Sequence, residues 1–211
     1  MTAVFLDLDG TLMESHRGIL ASLRRALQST GHHALAETDL AWMIGPPFDE
    51  SFRRIGLSDP DAAIAVYREH YLASGMFDAR VYDGVLDALG ALRDSGARLY
   101  LATAKPHVYA RQITRRFGLA EYMEREFGPE LDGTRKWKGD LLAHALAETG
   151  ETADRAVMVG DREFDMAAAK EVGMKSVAVR WGYGKESEWH DAGAVIDRPD
   201  ALQAAIAELG L

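Results

Sequence analysis

The sequence predicts an α/β protein: a parallel sheet flanked by helices, with a small all-helical segment inserted after the first strand. Two observations carry this. Short apolar runs alternate with amphipathic stretches along most of the chain, the rhythm of strand–helix–strand units. Residues 15–80 break that rhythm, because they hold helical stripes and no clear strand.

The first run, residues 3–7, reads Ala3-Val4-Phe5-Leu6 and ends on Asp7. In the insert, Ile19, Leu20, Leu23 and Leu27 recur at helical spacing, as do Ile64, Tyr67 and Tyr71, and a Gly45-Pro46-Pro47 break separates the two stripes. The chain re-enters the sheet region near Asp83, which reads as the cap of a helix striped by Leu86, Leu89 and Leu92 and ended by Gly96. Further strands are expected at 98–103, 155–160, 175–180 and, from a weaker signal, 194–197. Val, Leu, Met and Ala dominate these runs, as in strands covered on both faces. Leu141, Leu142, Ala145 and Leu146 stripe a helix over 139–149, and Leu202, Ala205, Ile206 and Leu209 stripe the last one. The expected division is therefore a core of 1–14 and 81–211 and an insert of 15–80.

Composition narrows the function. The 211 residues carry 24 Lys+Arg against 33 Asp+Glu, a formal net charge of −9. That balance argues against binding nucleic acid polymers or anionic membranes through bulk electrostatics, though locally gathered basic groups can still hold a small phosphate. With no cysteine, disulfides, thiol catalysis and thiolate metal sites are excluded, and a reducing cytoplasm is compatible. No stretch reads as a signal peptide or a membrane span.

The chemistry concentrates at the predicted strand exits, the edge where open α/β sheets bind ligands. Asp7 and Asp9 stand two positions apart after a buried strand. Like charges that close repel, and burial disfavours both unless a cation or proton offsets them. Oxygen-only donors of this kind suit Mg²⁺. Thr103 ends the second run, Lys138 precedes the 139–149 helix, and Gly160-Asp161 ends the third run with Asp165 four residues on. Each alone has an ordinary structural explanation: Asp-Gly as a turn, Thr103 bonding local backbone, Lys138 solvated, Asp161 and Asp165 as helix cap and first-turn acid. Their shared placement on one sheet edge outweighs those explanations. No Gly-x-Gly-x-x-Gly follows the first strand, which argues against dinucleotide binding.

Asp7-Leu8-Asp9-Gly10-Thr11-Leu12, Thr103, Lys138 and Gly160-Asp161-Arg162-Glu163-Phe164-Asp165 resemble the four motifs of the haloacid dehalogenase superfamily. Gly45-Pro46-Pro47, Thr103-Ala104-Lys105-Pro106 and Trp181-Gly182-Tyr183-Gly184 resemble its phosphoglycolate phosphatase-like branch. Residues Gly128 to Arg135 resemble a 5′-nucleotidase subgroup of that branch. One departure is Glu14-Ser15, where many relatives carry Asp-Ser.

The resemblance implies a Rossmann-like core with a helical cap and a Mg²⁺-dependent phosphatase acting on a small phosphomonoester. Under it Asp7 is the nucleophile that forms an aspartyl-phosphate and Asp9 the general acid and base. Mg²⁺ is held by Asp7, the Asp9 backbone carbonyl and Asp161, with Asp165 behind them, and Thr103 and Lys138 bind phosphoryl oxygens. Gly10, Thr11, Ala104 and Lys105 in the core, with Gly45, Pro46 and Pro47 in the cap, are expected to meet substrate. Lys105 reads equally well as a surface lysine, and Trp42 and Trp137 as packing residues rather than base-stacking platforms. A 5′-nucleotide and phosphoglycolate are the leading substrates; a dehalogenase, a phosphomutase and a non-catalytic phosphate binder are the rivals. The expected setting is cytoplasmic, as a monomer or homodimer.

Overall fold

The computed structural model describes all 211 residues. Walking the chain, β1 (Ala3–Leu6) is followed by β2 (Met13–Glu14), α1 (His16–Ser29), α2 (His33–Ala36), α3 (Phe48–Arg54), α4 (Pro60–His70), β3 (Arg80–Val81) and α5 (Val85–Asp94). Then come β4 (Arg98–Ala102), α6 (His107–Arg116), β5 (Arg125–Phe127), α7 (Lys138–Thr149), β6 (Ala156–Gly160), α8 (Glu163–Glu171), β7 (Lys175–Val179), β8 (Ala194–Ile196) and α9 (Leu202–Glu208). Two compact units result, Met1–Met13 with Val81–Leu211 and Glu14–Arg80.

The first unit is the α/β core that the strand rhythm predicts. Its six strands run in the order β5-β4-β1-β6-β7-β8, and every pairing is parallel. β1 is the hinge of this order: Leu6 pairs with Leu101 of β4 on one side and Val159 of β6 on the other. The residues leaving these three strands are therefore neighbours, at the switch point where the connections diverge. All four β1 side chains are buried, alternately on the two faces of the sheet. On one face Ala3, Phe5, Tyr100 and Met158 pack with Leu141, Leu142 and Ala145 of α7 and Ala168 and Ala169 of α8. Phe5 and Tyr100 stack with ring centroids 4.9 Å apart. At the foot of the sheet the buried Glu151 accepts from Tyr100 Oη at 2.7 Å and pairs with Arg98 at 2.5 Å.

The second unit is helical. α1 packs closely on the turn that continues α4 because Gly18 and Gly75 let the two backbones touch; a Cβ on Gly18 would strike the Gly75 carbonyl. α4 runs into a π-helical turn, Tyr71–Gly75, where Tyr67 stacks on Tyr71 with centroids 5.4 Å apart and meets Phe48 edge-on at 4.5 Å.

Four details depart from the sequence reading. β5, Arg-Glu-Phe, was not expected: it is a three-residue edge strand with only Phe127 buried, and short charged edges lack an apolar run. β2 and β3 form a two-stranded ribbon where no strand was expected, too short to leave a pattern. α5 starts after Gly84, at φ 81°, rather than at a cap on Asp83. Leu86 is exposed; Val85, Ala88, Leu89 and Leu92 make the buried stripe.

Candidate active site

The chain leaves β1 into a tight loop. Gly10 N–H donates to the Met13 carbonyl at 2.8 Å, and Leu12 and Met13 N–H donate to the Leu8 carbonyl at 3.0 and 2.9 Å. The turn needs Gly10 twice over: its φ is 87°, and a Cβ there would run into the Asp161 carboxylate.

This loop presents two acids differently. Asp7 is buried, and its Oδ1 lies 2.8 Å from Lys138 Nζ, an ion pair whose angle falls short of a hydrogen bond. Asp9 is turned towards Lys105, whose Nζ lies 2.9 Å from Asp9 Oδ2. Lys105 is only 7% exposed, so the alternative of a surface lysine does not hold. It is drawn inward because the half-buried Asp9 at the sheet edge gives its ammonium a partner that water would otherwise supply.

Lys138 is the first residue of α7 and is buried. Its ammonium bridges Asp7 and Asp165. Burial works against the charged lysine, but the carboxylates of Asp165 and Asp7 outweigh it and raise its pKa. Asp165 spends its other oxygen at the start of α8, where Oδ2 accepts from Arg162 N–H at 3.0 Å. Asp165 is thus the first-turn acid of its ordinary explanation, while the N-cap is Arg162 rather than Asp161, and the same carboxylate also grips the site lysine. Burial pushes the Asp165 carboxyl upward, with Lys138 opposing.

Asp161 is fully buried at the exit of β6. Its Oδ2 accepts from Tyr183 N–H at 2.7 Å and its Oδ1 from the Thr11 hydroxyl at 3.3 Å, and no basic side chain pairs with it. Burial, then the charges of Asp165 and Asp7, push its carboxyl up to about 8. Carboxylate oxygens of Asp7, Asp161 and Asp165 lie within 4.8 Å of one another. Buried, oxygen-only and holding one acid without a cationic partner, this set fits a hard divalent ion such as Mg²⁺. The Asp9 side chain, paired with Lys105, stands outside the cluster.

Thr103 is buried at the end of β4; its N–H donates to the Phe127 carbonyl at 3.1 Å, and its hydroxyl accepts from Lys105 N–H at 3.2 Å. Ala104 follows it, half-buried. Gly45, Pro46 and Pro47 belong to the helical unit, where Gly45 has φ 114° and Pro47 precedes α3. Trp42 carries the Arg54 guanidinium 4.9 Å from its ring centre, and Trp137, just before Lys138, is half exposed rather than packed.

Sequence reasoning gave no role to the segment after β7. Trp181 Nε1 donates to the Thr11 carbonyl at 3.0 Å, Tyr183 Oη to the Met13 carbonyl at 3.4 Å, and the buried Trp189 Nε1 to the Asp161 carbonyl at 2.7 Å. The available signal was Gly182 and Gly184 flanking Tyr183 beyond a strand exit, a mark of close backbone approach. A Cβ on either glycine would collide with Asp161. Nothing in the sequence singled out Trp189.

Comparison with known proteins agrees with this geometry. The chain is 44% identical over 184 residues to tyrosine-protein kinase PtkA of Mycobacterium tuberculosis, covering 86% of this chain but 63% of the kinase, so it spans less than two thirds of that relative. It is 39% identical to a 5′-nucleotidase of Pseudomonas aeruginosa, covering 88% of this chain and 85% of the relative. With a phosphoglycolate phosphatase of Rhodospirillum rubrum the figures are 34%, 87% and 81%. The crystal structure of a predicted phosphatase from Clostridium acetobutylicum superposes with a TM-score of 0.91 at 35% identity, covering 98% of both chains. The profile of the haloacid dehalogenase-like hydrolases matches residues 4–179, from β1 through β7 and across every core acid and lysine described above, and the chain belongs to that family.

Proposed function

We propose that the protein is a Mg²⁺-dependent phosphatase that hydrolyses a small phosphomonoester through an aspartyl-phosphate, with a 5′-nucleotide as the preferred substrate. One observation carries the reading: carboxylate oxygens of Asp7, Asp161 and Asp165 converge within 4.8 Å of one another, with the Lys138 ammonium bridging two of them and the second first-strand acid, Asp9, paired with Lys105. Folding alone gains little from so many buried charges.

Asp7 attacks phosphorus and the P–O bond to the leaving group breaks, so one hard displacement becomes two easier ones. Asp9 delivers a proton to the leaving oxygen, then takes one from the water that opens the aspartyl-phosphate. Lys105, 2.9 Å from Asp9, holds that carboxyl in place between the two steps. The Thr103 hydroxyl and the Lys138 ammonium meet phosphoryl oxygens, and the N–H groups of the Gly10–Thr11 turn help cradle them. Asp7, the Asp9 carbonyl and Asp161 would hold Mg²⁺, which supplies charge neutralisation for phosphoryl transfer, and Asp165 braces them from behind. The 14–80 unit acts as a cap that chooses the leaving group, Gly45, Pro46 and Pro47 included.

The nucleotide preference is supported by the 39% identical 5′-nucleotidase and by residues 128–135. These form a compact turn leading to Lys138: Glu130 N–H donates to the Thr134 carbonyl at 3.0 Å, and Arg135 pairs with Glu130 at 3.2 Å. Phosphoglycolate is the alternative, supported by the 34% identical relative. The 44% identity to a tyrosine kinase favours a second reading, transfer of the phosphoryl group to tyrosine. A cytoplasmic protein, monomeric or homodimeric, suits a chain without cysteine.

The test is Mg²⁺-dependent phosphate release from a panel of purine and pyrimidine 5′-nucleotides, phosphoglycolate and sugar phosphates, with Asp7→Asn as control. Turnover strongest on nucleotides and lost in the variant is expected. Selective phosphoglycolate turnover would keep the mechanism and change the substrate. Label passing from ATP to a tyrosine peptide, without release from the panel, would favour the kinase reading.

A further inference from the structure

Asp161 is held by more than the strand that carries it. Three groups from the segment after β7 reach its loop: Tyr183 N–H on the carboxylate at 2.7 Å, Trp189 Nε1 on the backbone carbonyl at 2.7 Å, and Trp181 Nε1 on the Thr11 carbonyl at 3.0 Å, beside the hydroxyl that holds the other carboxylate oxygen. Gly182 and Gly184 bring this backbone so near that a Cβ on either would displace Asp161. The far end of the segment is tied down by Glu188. Its Oε2 accepts from Arg162 Nε at 2.8 Å and from Glu163 N–H at 3.2 Å, and its Oε1 from Lys185 N–H at 3.3 Å. Trp189 itself is buried against Met166 and Ala178.

We propose that residues 181–189 form a strap that fixes the orientation of the acid Asp161 for its metal ion, with Trp189 and Glu188 as positioning residues. The proposal rests on the reading of Asp161 as a metal ligand. A carboxylate whose two oxygens are already aimed by a backbone N–H and a hydroxyl loses little freedom when a cation arrives. Partners of this indirect kind are worth about 10–100-fold in metal affinity. Trp189 touches Asp161 only through the carbonyl, so about 3–10-fold is the expected share of its single hydrogen bond.

The strap carries its own spectroscopic probe, because two of the chain's four tryptophans lie in it. The test is calorimetric Mg²⁺ binding to the full chain, to Trp189→Phe, which keeps the ring and removes the N–H, and to Glu188→Gln. Alongside it, ¹⁹F spectra of 5-fluorotryptophan-labelled native protein are followed through a Mg²⁺ titration, with resonances assigned by single Trp→Phe exchanges. The expected result is a 3–10-fold weaker Mg²⁺ dissociation constant in both variants, activity recovered by raising Mg²⁺, and a saturable shift of the Trp189 resonance. Variants that bind Mg²⁺ as tightly as the native chain, or a Trp189 resonance unmoved at saturation, would overturn the strap while leaving the metal reading intact. Absence of Mg²⁺ binding by the native chain would overturn both. Should Trp189→Phe fail to fold, Glu188→Gln and the native-chain spectra still decide.

Discussion

Lys138→Met is the sharpest perturbation of the site. It keeps most of the stem and removes the one ammonium that bridges Asp7 and Asp165. At 2.8 Å and an effective dielectric near 20, the attraction between Lys138 and Asp7 alone is about 6 kcal/mol. Much of that repays the cost of taking the charges out of water. The expected net loss is the one seen when a buried pair is broken on one side, about 3–5 kcal/mol. For a chain of this size that lowers Tm by roughly 6–20 °C. Thermal melts at pH 7.5 in EDTA should show this drop. In Mg²⁺ the drop should shrink, because another cation then faces the same carboxylates. It should shrink at pH 5 as well, where Asp165, whose carboxyl burial pushes upward, can take up a proton instead. Phosphate release should fall on the order of 10²–10³-fold and stay low in Mg²⁺, since in the proposed reaction that ammonium also meets the phosphoryl group. A variant that melts with the native chain in EDTA at pH 7.5 would refute the charge argument.

Three further outcomes follow from the same geometry. Asp7→Asn should keep the fold but lose phosphate release by on the order of 10³-fold or more, checked by turnover on the best substrate alongside a melting curve. The Asp161 carboxyl, held up to about 8 from an ordinary value of 3.8, keeps a proton in the folded chain that the unfolded chain has released. Metal-free stability should therefore fall as pH rises between those values, and the gain in Tm from Mg²⁺ should grow with pH up to about 8; a pH-independent gain would contradict it. Tyr100→Phe deletes a 2.7 Å hydrogen bond to the buried Glu151, which also raises the phenol's pKa after burial itself. It should cost about 1.5–3 kcal/mol, visible in denaturant midpoints, with turnover unaffected because the phenol bonds Glu151 and none of the acids or lysines of the site.

What the sequence discloses follows from how each element is stabilised. β1, β4, β6 and β7 are read from their residues because strands buried on both faces must be apolar almost throughout. β5 is hidden because an edge strand can hold its place with backbone pairing and one buried ring. Asp7, Thr103 and Asp161 could be singled out because polar residues end apolar runs there, Lys138 by its place just ahead of a helix, and Asp165 by its spacing from Asp161. The structure brings Asp7, Lys138, Asp161 and Asp165 into one cluster. The pairing of Lys105 with Asp9 and the role of Trp189 are not legible for the opposite reason. A lysine in a loop and a tryptophan near a short 3₁₀ turn have ordinary uses, and their partners, Asp9 and Asp161, lie far away in sequence.

The acid pair at the exit of β1 poses the physical question for this chain, and the two lysines answer it unequally. Asp9 pairs with Lys105 at 2.9 Å. Asp7 must share Lys138 with Asp165, and the third buried acid, Asp161, makes no ion pair with a lysine or arginine; its oxygens take the Tyr183 N–H and the Thr11 hydroxyl. Inside the cluster three carboxylates thus face one ammonium. A further lysine in the cluster would close that gap permanently. Leaving it open makes the site compensable by something that comes and goes: a proton on Asp161, whose carboxyl burial first and the neighbouring acids second hold up to about 8, or a divalent cation. The uncompensated charge matches the size of such an ion, and the phosphate that the proposed reaction brings needs a positive site to enter. The same deficit that lowers stability as pH rises thus makes the cluster receptive to metal and, through it, to substrate.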